Sequence, residues 1–211
     1  MTTLHDAPDL AVTPTAISSR RARVARRITD GLDPKNVIIA VSLLTGLAQD
    51  RPLMGLAWGV EAIVFAAVIP VAYIKYGIKS GKWSDRHVGN RQRRLLLIPV
   101  IMASVSIGIG TMLWLGAPRQ MLALVVAMLT TLAVLLPITA FWKISVHTSV
   151  AAGSLAILAC AYGPMVWLAV PLVGVIAWSR VFLSAHTLAQ TVAGGGVGAI
   201  VAGGAFSVLS S

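Results

Sequence analysis

Four stretches of the chain run for twenty or more residues without an Asp, Glu, Lys or Arg: residues 95–115, 121–142, 148–178 and 187–209. A bilayer core about 30 Å thick takes roughly 20 residues of helix at about 1.5 Å each, so every one of them is long enough to cross it. The third is too long for a single helix. Gly163-Pro164 divides it, because proline removes a backbone donor and glycine admits turn geometry. Upstream, residues 52–74 form a further span interrupted only by Glu61, and residues 37–48 form a shorter apolar run. At about 18 Å of helix, that run is a brief span, a re-entrant piece or an interfacial helix. The pattern predicts an all-α, polytopic membrane helix bundle of six spans plus this one short segment.

Composition agrees with that class. Of 211 residues, 57% are hydrophobic and 11% charged, whereas soluble chains carry about 25% charged residues. Residues 1–35 are expected to be a disordered, basic N-terminal tail: they show no periodicity up to Ser19, then carry Arg20, Arg21, Arg23, Arg26, Arg27 and Lys35. No apolar core follows a basic start closely enough for a signal peptide. The net charge of +10 raises nucleic acid as a partner, but a basic run beside membrane spans reads as a topology signal or a contact to anionic lipid, so no nucleic-acid partner is expected. Cys160 stands alone in an apolar segment and reads as a small buried residue rather than a thiol ligand. Glu61 within a span is costly, which makes it either a group bonded between helices or a functional one.

The remaining polar residues gather in three places: a strongly basic loop at residues 79–94, then residues 142–149, then residues 179–190. A pair of helices separates each cluster from the next, so all three share one membrane face. Two histidines, several arginines and hydroxyls at helix starts are the components of an oxyanion site. Guanidinium forks and helix N-terminal amides hold phosphate oxygens, and imidazole attacks phosphorus or transfers a proton.

The spacing of these residues resembles the type 2 phosphatidic acid phosphatase superfamily, whose pattern runs Lys-x6-Arg-Pro, Pro-Ser-Gly-His and Ser-Arg-x5-His-x3-Asp. Ser179-Arg180, then His186, then Gln190 follow the third part; Ser145 and His147 follow the second; Arg86 and Arg93 follow the first in spacing. The resemblance covers residues 86–204. It implies that His186 is the nucleophile and His147 the general acid. It gives Arg86, Arg93, Arg180 and Ser145 the phosphate oxygens, and implies no metal and no cofactor. Departures are plain: Ile144 and Val146 replace Pro and Gly, Arg94 replaces Pro, and Gln190 replaces the Asp that would orient the His186 imidazole. A glutamine carbonyl accepts the same hydrogen bond but brings no charge, and loss of such a charge costs about 10⁴ in rate in a serine-protease triad.

The expected function is therefore that of a multi-pass plasma-membrane lipid phosphatase, acting on a phosphate or diphosphate monoester through a phosphohistidine, with residues 36–211 as its membrane-embedded, phosphatase-like helical domain. The alternative keeps the pocket without the phosphoenzyme and binds or ionises a prenyl diphosphate, as in a transferase or cyclase. The partners are a lipid phosphate or diphosphate and the membrane. If residues 37–48 span, the positive-inside rule puts the active face in the cytoplasm. Glycines in the last segment, Gly194, Gly198 and Gly203 among them, read as helix-packing residues.

Overall fold

The computed structural model describes residues 14–80 and 91–211, and among these every regular element is helical. α1 (Pro14–Gly31) and α2 (Pro34–Leu47) are followed by α3 (Pro52–Ile63), which passes through a π-helical turn (Val64–Val68) into α4 (Ile69–Lys79). Then come α5 (Arg91–Leu115), α6 (Arg119–Phe141), α7 (Val146–Tyr162), a 3-10 turn (Pro164–Ala169) leading into α8 (Val170–Phe182), and α9 (Leu188–Ser210). Five helical stretches are long and apolar enough to cross a membrane, Pro52–Gly77, Leu97–Leu115, Arg119–Phe141, Pro164–Phe182 and Leu188–Ser210; the chain is an integral membrane protein. Val146–Tyr162, expected among six spans, is shorter, as is Pro34–Leu47.

Local chemistry sets the helix boundaries. Pro34, Pro52 and Pro164 each open a helix at the position where a missing N–H costs nothing. Asp33 caps α2, its Oδ1 accepting from the Lys35 amide at 3.1 Å. The break at Gly163-Pro164 falls where the sequence places it, with Gly163 at φ 97°, a conformation glycine adopts without penalty.

The two short helices run side by side over the same height. Asp33 lies beside His147 where both begin, and the Tyr162 hydroxyl at the end of α7 donates to the Leu44 carbonyl near the end of α2. α3 turns back along α2, pressing Gly55 on Gly46 and Gly59 on Ser42. α5 runs antiparallel to α3 and α4, since Ser104 meets Phe65 and Thr111 meets Glu61. α9 runs parallel to α7. Gly194, Gly198 and Gly203 lie against Ser145, Ser149 and Ala156 respectively, so these three glycines are packing residues as expected. α2, α7 and α9 therefore begin at one end of the bundle, where α4, α6 and α8 finish. Val41, Met121, Leu124, Ile157 and Phe206 fill the core between α2, α6, α7 and α9.

Three readings of the sequence need correction or completion. Residues 14–31 belong to a helix, not to a disordered tail, and Pro34 and Lys35 already form part of α2; residues 1–13 lie outside the described residues. α1 seats Ala25, fully buried, and bonds the Thr29 hydroxyl to that of Ser179 in α8 at 3.0 Å. Its inward residues are small, so no stripe of large apolar side chains announces it in the sequence. Cys160, expected to be buried, is exposed. Glu61 accepts a hydrogen bond from the Thr111 hydroxyl of α5, which makes it a bond between helices.

The π turn leaves one carbonyl that its own helix cannot satisfy. In that register the Val64 carbonyl accepts from the Ile69 amide, and the Phe65 carbonyl would accept from residue 70, which is proline and has no N–H. Ser104 of α5 supplies the missing donor, its hydroxyl lying 2.7 Å from the Phe65 carbonyl.

Candidate functional site

The chain between α6 and α7 is extended, and Ser145 ends it as the N-cap of α7. Its Oγ accepts from the Thr148 amide at 3.4 Å, and its carbonyl accepts from the Thr148 hydroxyl at 3.1 Å and the Ser149 amide at 3.2 Å. The Ser145 amide donates to the Gln190 carbonyl at 3.2 Å, joining the start of α7 to the start of α9. Ser145 is fully buried as a result. His147 lies in the first turn of α7, its Nε2 3.9 Å from Asp33 Oδ2. The same carboxylate lies 3.4 Å from the Lys35 ammonium.

His186 is fixed from the other side. α8 ends with a double closure, in which the Arg180 carbonyl accepts from the Ala185 amide at 3.0 Å and the His186 amide at 3.2 Å. Between them Ser184 takes φ 53°, a left-handed conformation that a serine adopts only when its surroundings impose it. This reversal buries His186 to 6% exposure and brings its Nδ1 to 3.3 Å from the Lys143 carbonyl. A carbonyl only accepts, so the contact is a hydrogen bond in the tautomer with its proton on Nδ1, and the lone pair is then on Nε2.

Gln190 has a different task from the one its place in the pattern suggests. It is the third residue of α9, and its Oε1 accepts from the Thr187 amide at 3.0 Å while the Thr187 hydroxyl accepts from the Gln190 amide at 3.3 Å, a complete capping box. The partner found for His186 Nδ1 is the main chain at Lys143. Gln190→Ala is expected to lower stability by about 1 kcal/mol through the lost cap. Thermal unfolding in detergent reads this, and an unchanged midpoint would remove the box as a stabilising device.

The structure thus brings Ser145, His147, Arg180, His186 and Gln190 to one end of the bundle. The small residue Gly194 makes this approach possible, because a Cβ there would meet the Ser145 carbonyl and lie 2.7 Å from Thr148 Oγ1. Arg180 is half-buried in the last turn of α8. Arg93 falls in the first turn of α5, and Arg86 lies outside the described residues. The basic loop is described only at its ends.

Below this end lies a cavity of about 260 Å³ between α2, α4, α5, α6 and α7. Asp33 and Lys35 line its upper end, beside Val146. Its walls are mostly apolar down to Ile157, with Ile38, Ile101, Val105 and Leu132 interrupted by Thr131, Ser149 and Ser154, a depth of about 16 Å along α7. The cavity therefore places a carboxylate and an ammonium above a mostly apolar shaft, which is the polarity profile of an amphiphile.

Reading the sequence alone missed Asp33, Lys35 and Lys143. The first two sit in what looks like a tail, and only the pairing of α2 with α7 carries them to His147. Lys143 contributes through its carbonyl, which no side-chain pattern encodes. The capping box at Thr187 and Gln190 was readable as a local Thr-x-x-Gln signal. The chain matches no family model, no curated protein and no solved structure.

Proposed function

We propose that the chain is a membrane lipid phosphatase that hydrolyses a phosphate or diphosphate monoester through a phosphohistidine on His186. The observation that carries this reading is the position of two histidines at the end of the bundle where α7 and α9 begin, with His147 beside Asp33 at the upper end of a mostly apolar cavity. Phosphoryl transfer asks little covalent work of a protein beyond a placed nucleophile, a proton donor and positive charge around the equatorial oxygens.

In this reading His186 Nε2 attacks phosphorus as the bond to the leaving oxygen breaks. Protonated His147 gives its proton to the departing alkoxide or phosphate, and the carboxylate of Asp33 provides negative charge beside that imidazole. Water then attacks the phosphohistidine, His147 takes its proton, and the P–N bond breaks to release phosphate. Arg180, Arg93 and Arg86 carry the charge on the oxygens, and the Ser145 hydroxyl, already accepting from Thr148, keeps its own proton to donate. The lipid tail fills the shaft. Its mostly apolar lining suits a hydrocarbon tail. α2 and α7 cross the bilayer with the five longer helices, and the positive-inside rule sets the histidine end, with the arginines of α1, in the cytoplasm of a plasma-membrane protein.

A second reading is favoured by one specific observation, the neutral partner of His186. In that reading the site binds or ionises a prenyl diphosphate and transfers no phosphoryl group to protein. Purified chain in detergent, given prenyl diphosphate, single-acyl phosphate and phosphatidate, separates these readings by product. The expected result is inorganic phosphate. Release of intact diphosphate, or no product at all, would establish the second reading.

A further inference from the structure

α1 is the element that the proposed chemistry leaves unused, and its charge determines where it can lie. Arg20, Arg21, Arg23, Arg26 and Arg27 fall within eight consecutive positions and all five are exposed. Among the described residues, no carboxylate lies within ion-pairing distance of any of them. A helix so charged does not sit in hydrocarbon, where even one uncompensated arginine is costly.

At 100° per residue the helix has three distinct sides. Ala25, fully buried, and Thr29, half-buried and bonded to Ser179, face the bundle. Arg20, Arg23 and Arg27 project from the opposite side, with Arg26 on one flank. On the other flank Val24 is 44% exposed and Ile28 is half-buried, with exposed Arg21 beside Ile28. Val24 and Ile28 next to an arginine row, on a helix attached to the end of a membrane bundle, fit the pattern of an interfacial helix, with Arg21 at the edge between them and the bundle. Its apolar edge dips to the acyl boundary and its guanidinium groups lie at headgroup height, where their stems follow the apolar surface and their forks meet phosphate oxygens in pairs.

We propose that α1 is an in-plane helix that binds anionic phospholipid headgroups, with Arg20, Arg23 and Arg27 as the principal contacts. The binding is an equilibrium property of the folded protein, distinct from the topological role that any cytoplasmic arginine plays during insertion. It needs no reaction at the histidines.

Native mass spectrometry of the full chain in detergent, titrated in parallel with phosphatidylglycerol and phosphatidylcholine, measures it directly. One cation near a membrane surface is worth a factor of about five in binding, so phosphatidylglycerol should bind at least about fivefold more tightly than phosphatidylcholine. The preference should shrink as ionic strength rises. The combined Arg20→Gln, Arg23→Gln and Arg27→Gln variant should bind both lipids alike. These positions face away from the Ala25 seat, so its unfolding midpoint should match the parent; if the variant fails to fold, the salt dependence of the parent decides. Equal binding of the two lipids by the parent would overturn the proposal, as would a preference that survives the triple substitution or high salt. Tighter capture of a single-stranded RNA oligonucleotide than of anionic vesicles would overturn it in favour of a nucleic-acid contact.

Discussion

His186→Ala should reduce phosphate release to the level of buffer, a loss of at least about 10³-fold for a covalent nucleophile. The loss should fall on kcat, since the cavity and the arginines proposed to hold the phosphate remain. Stability should change by only about 1 kcal/mol, the worth of the hydrogen bond to the Lys143 carbonyl. His147→Ala should behave differently, sparing substrates whose leaving group departs without protonation and slowing those with a poor one. Activity within tenfold of the parent for the His186 variant would end the nucleophile assignment. Equal losses for good and poor leaving groups in the His147 variant would remove its role as proton donor.

Gly198→Val is expected to be the most damaging single change away from the histidines. A Cβ at residue 198 would overlap the Ser149 carbonyl oxygen and lie 2.8 Å from the Ser149 Cα, so no side chain is there to swing aside. α9 would have to withdraw from α7 as a body, at about 3 kcal/mol, the upper end for overpacking because the obstruction is main chain. Since Ser149 and Ser145 share the first turns of α7, the withdrawal also opens the joint between Ser145 and Gln190. Gly204, on the same helix, has open space around its missing Cβ, so Gly204→Val serves as the control. Thermal unfolding of both in detergent gives the comparison, and matching midpoints would show that α7 and α9 are not in such close contact.

How much of this was legible in the sequence depends on whether the signal was local. The all-α class and five long helices follow from uninterrupted apolar runs, and the break at Gly163-Pro164 follows from two residues that act on their own backbone. α1 escaped because its inward face is built from Ala25 and Thr29, and a helix seated on small residues leaves no apolar stripe to count. The length of α7 was overestimated by treating the run from residue 148 to 178 as two spans of equal standing. The site divides in the same way. Ser145, His147, Arg180 and His186 were named from spacing, and the structure gathers them at one end of the bundle. Asp33 lies more than a hundred residues from His147 in the chain, and only tertiary pairing brings the two together. Gln190 shows the opposite failure: its capping signal was local and readable, but the motif position it occupies drew attention to the neighbouring histidine.

The π turn also bears on how the protein is assembled in the bilayer. When α3 and α4 enter the membrane, Pro70 leaves the Phe65 carbonyl without an amide, and hydrocarbon offers no water to replace it. The donor that completes it, Ser104, belongs to a helix synthesised later. Glu61 is in the same position, since its partner Thr111 also arrives with α5. The first long membrane segment is thus polar in two places until the second one docks. The translocon has reason to hold it beside the channel and to release both into lipid together, as a finished hairpin.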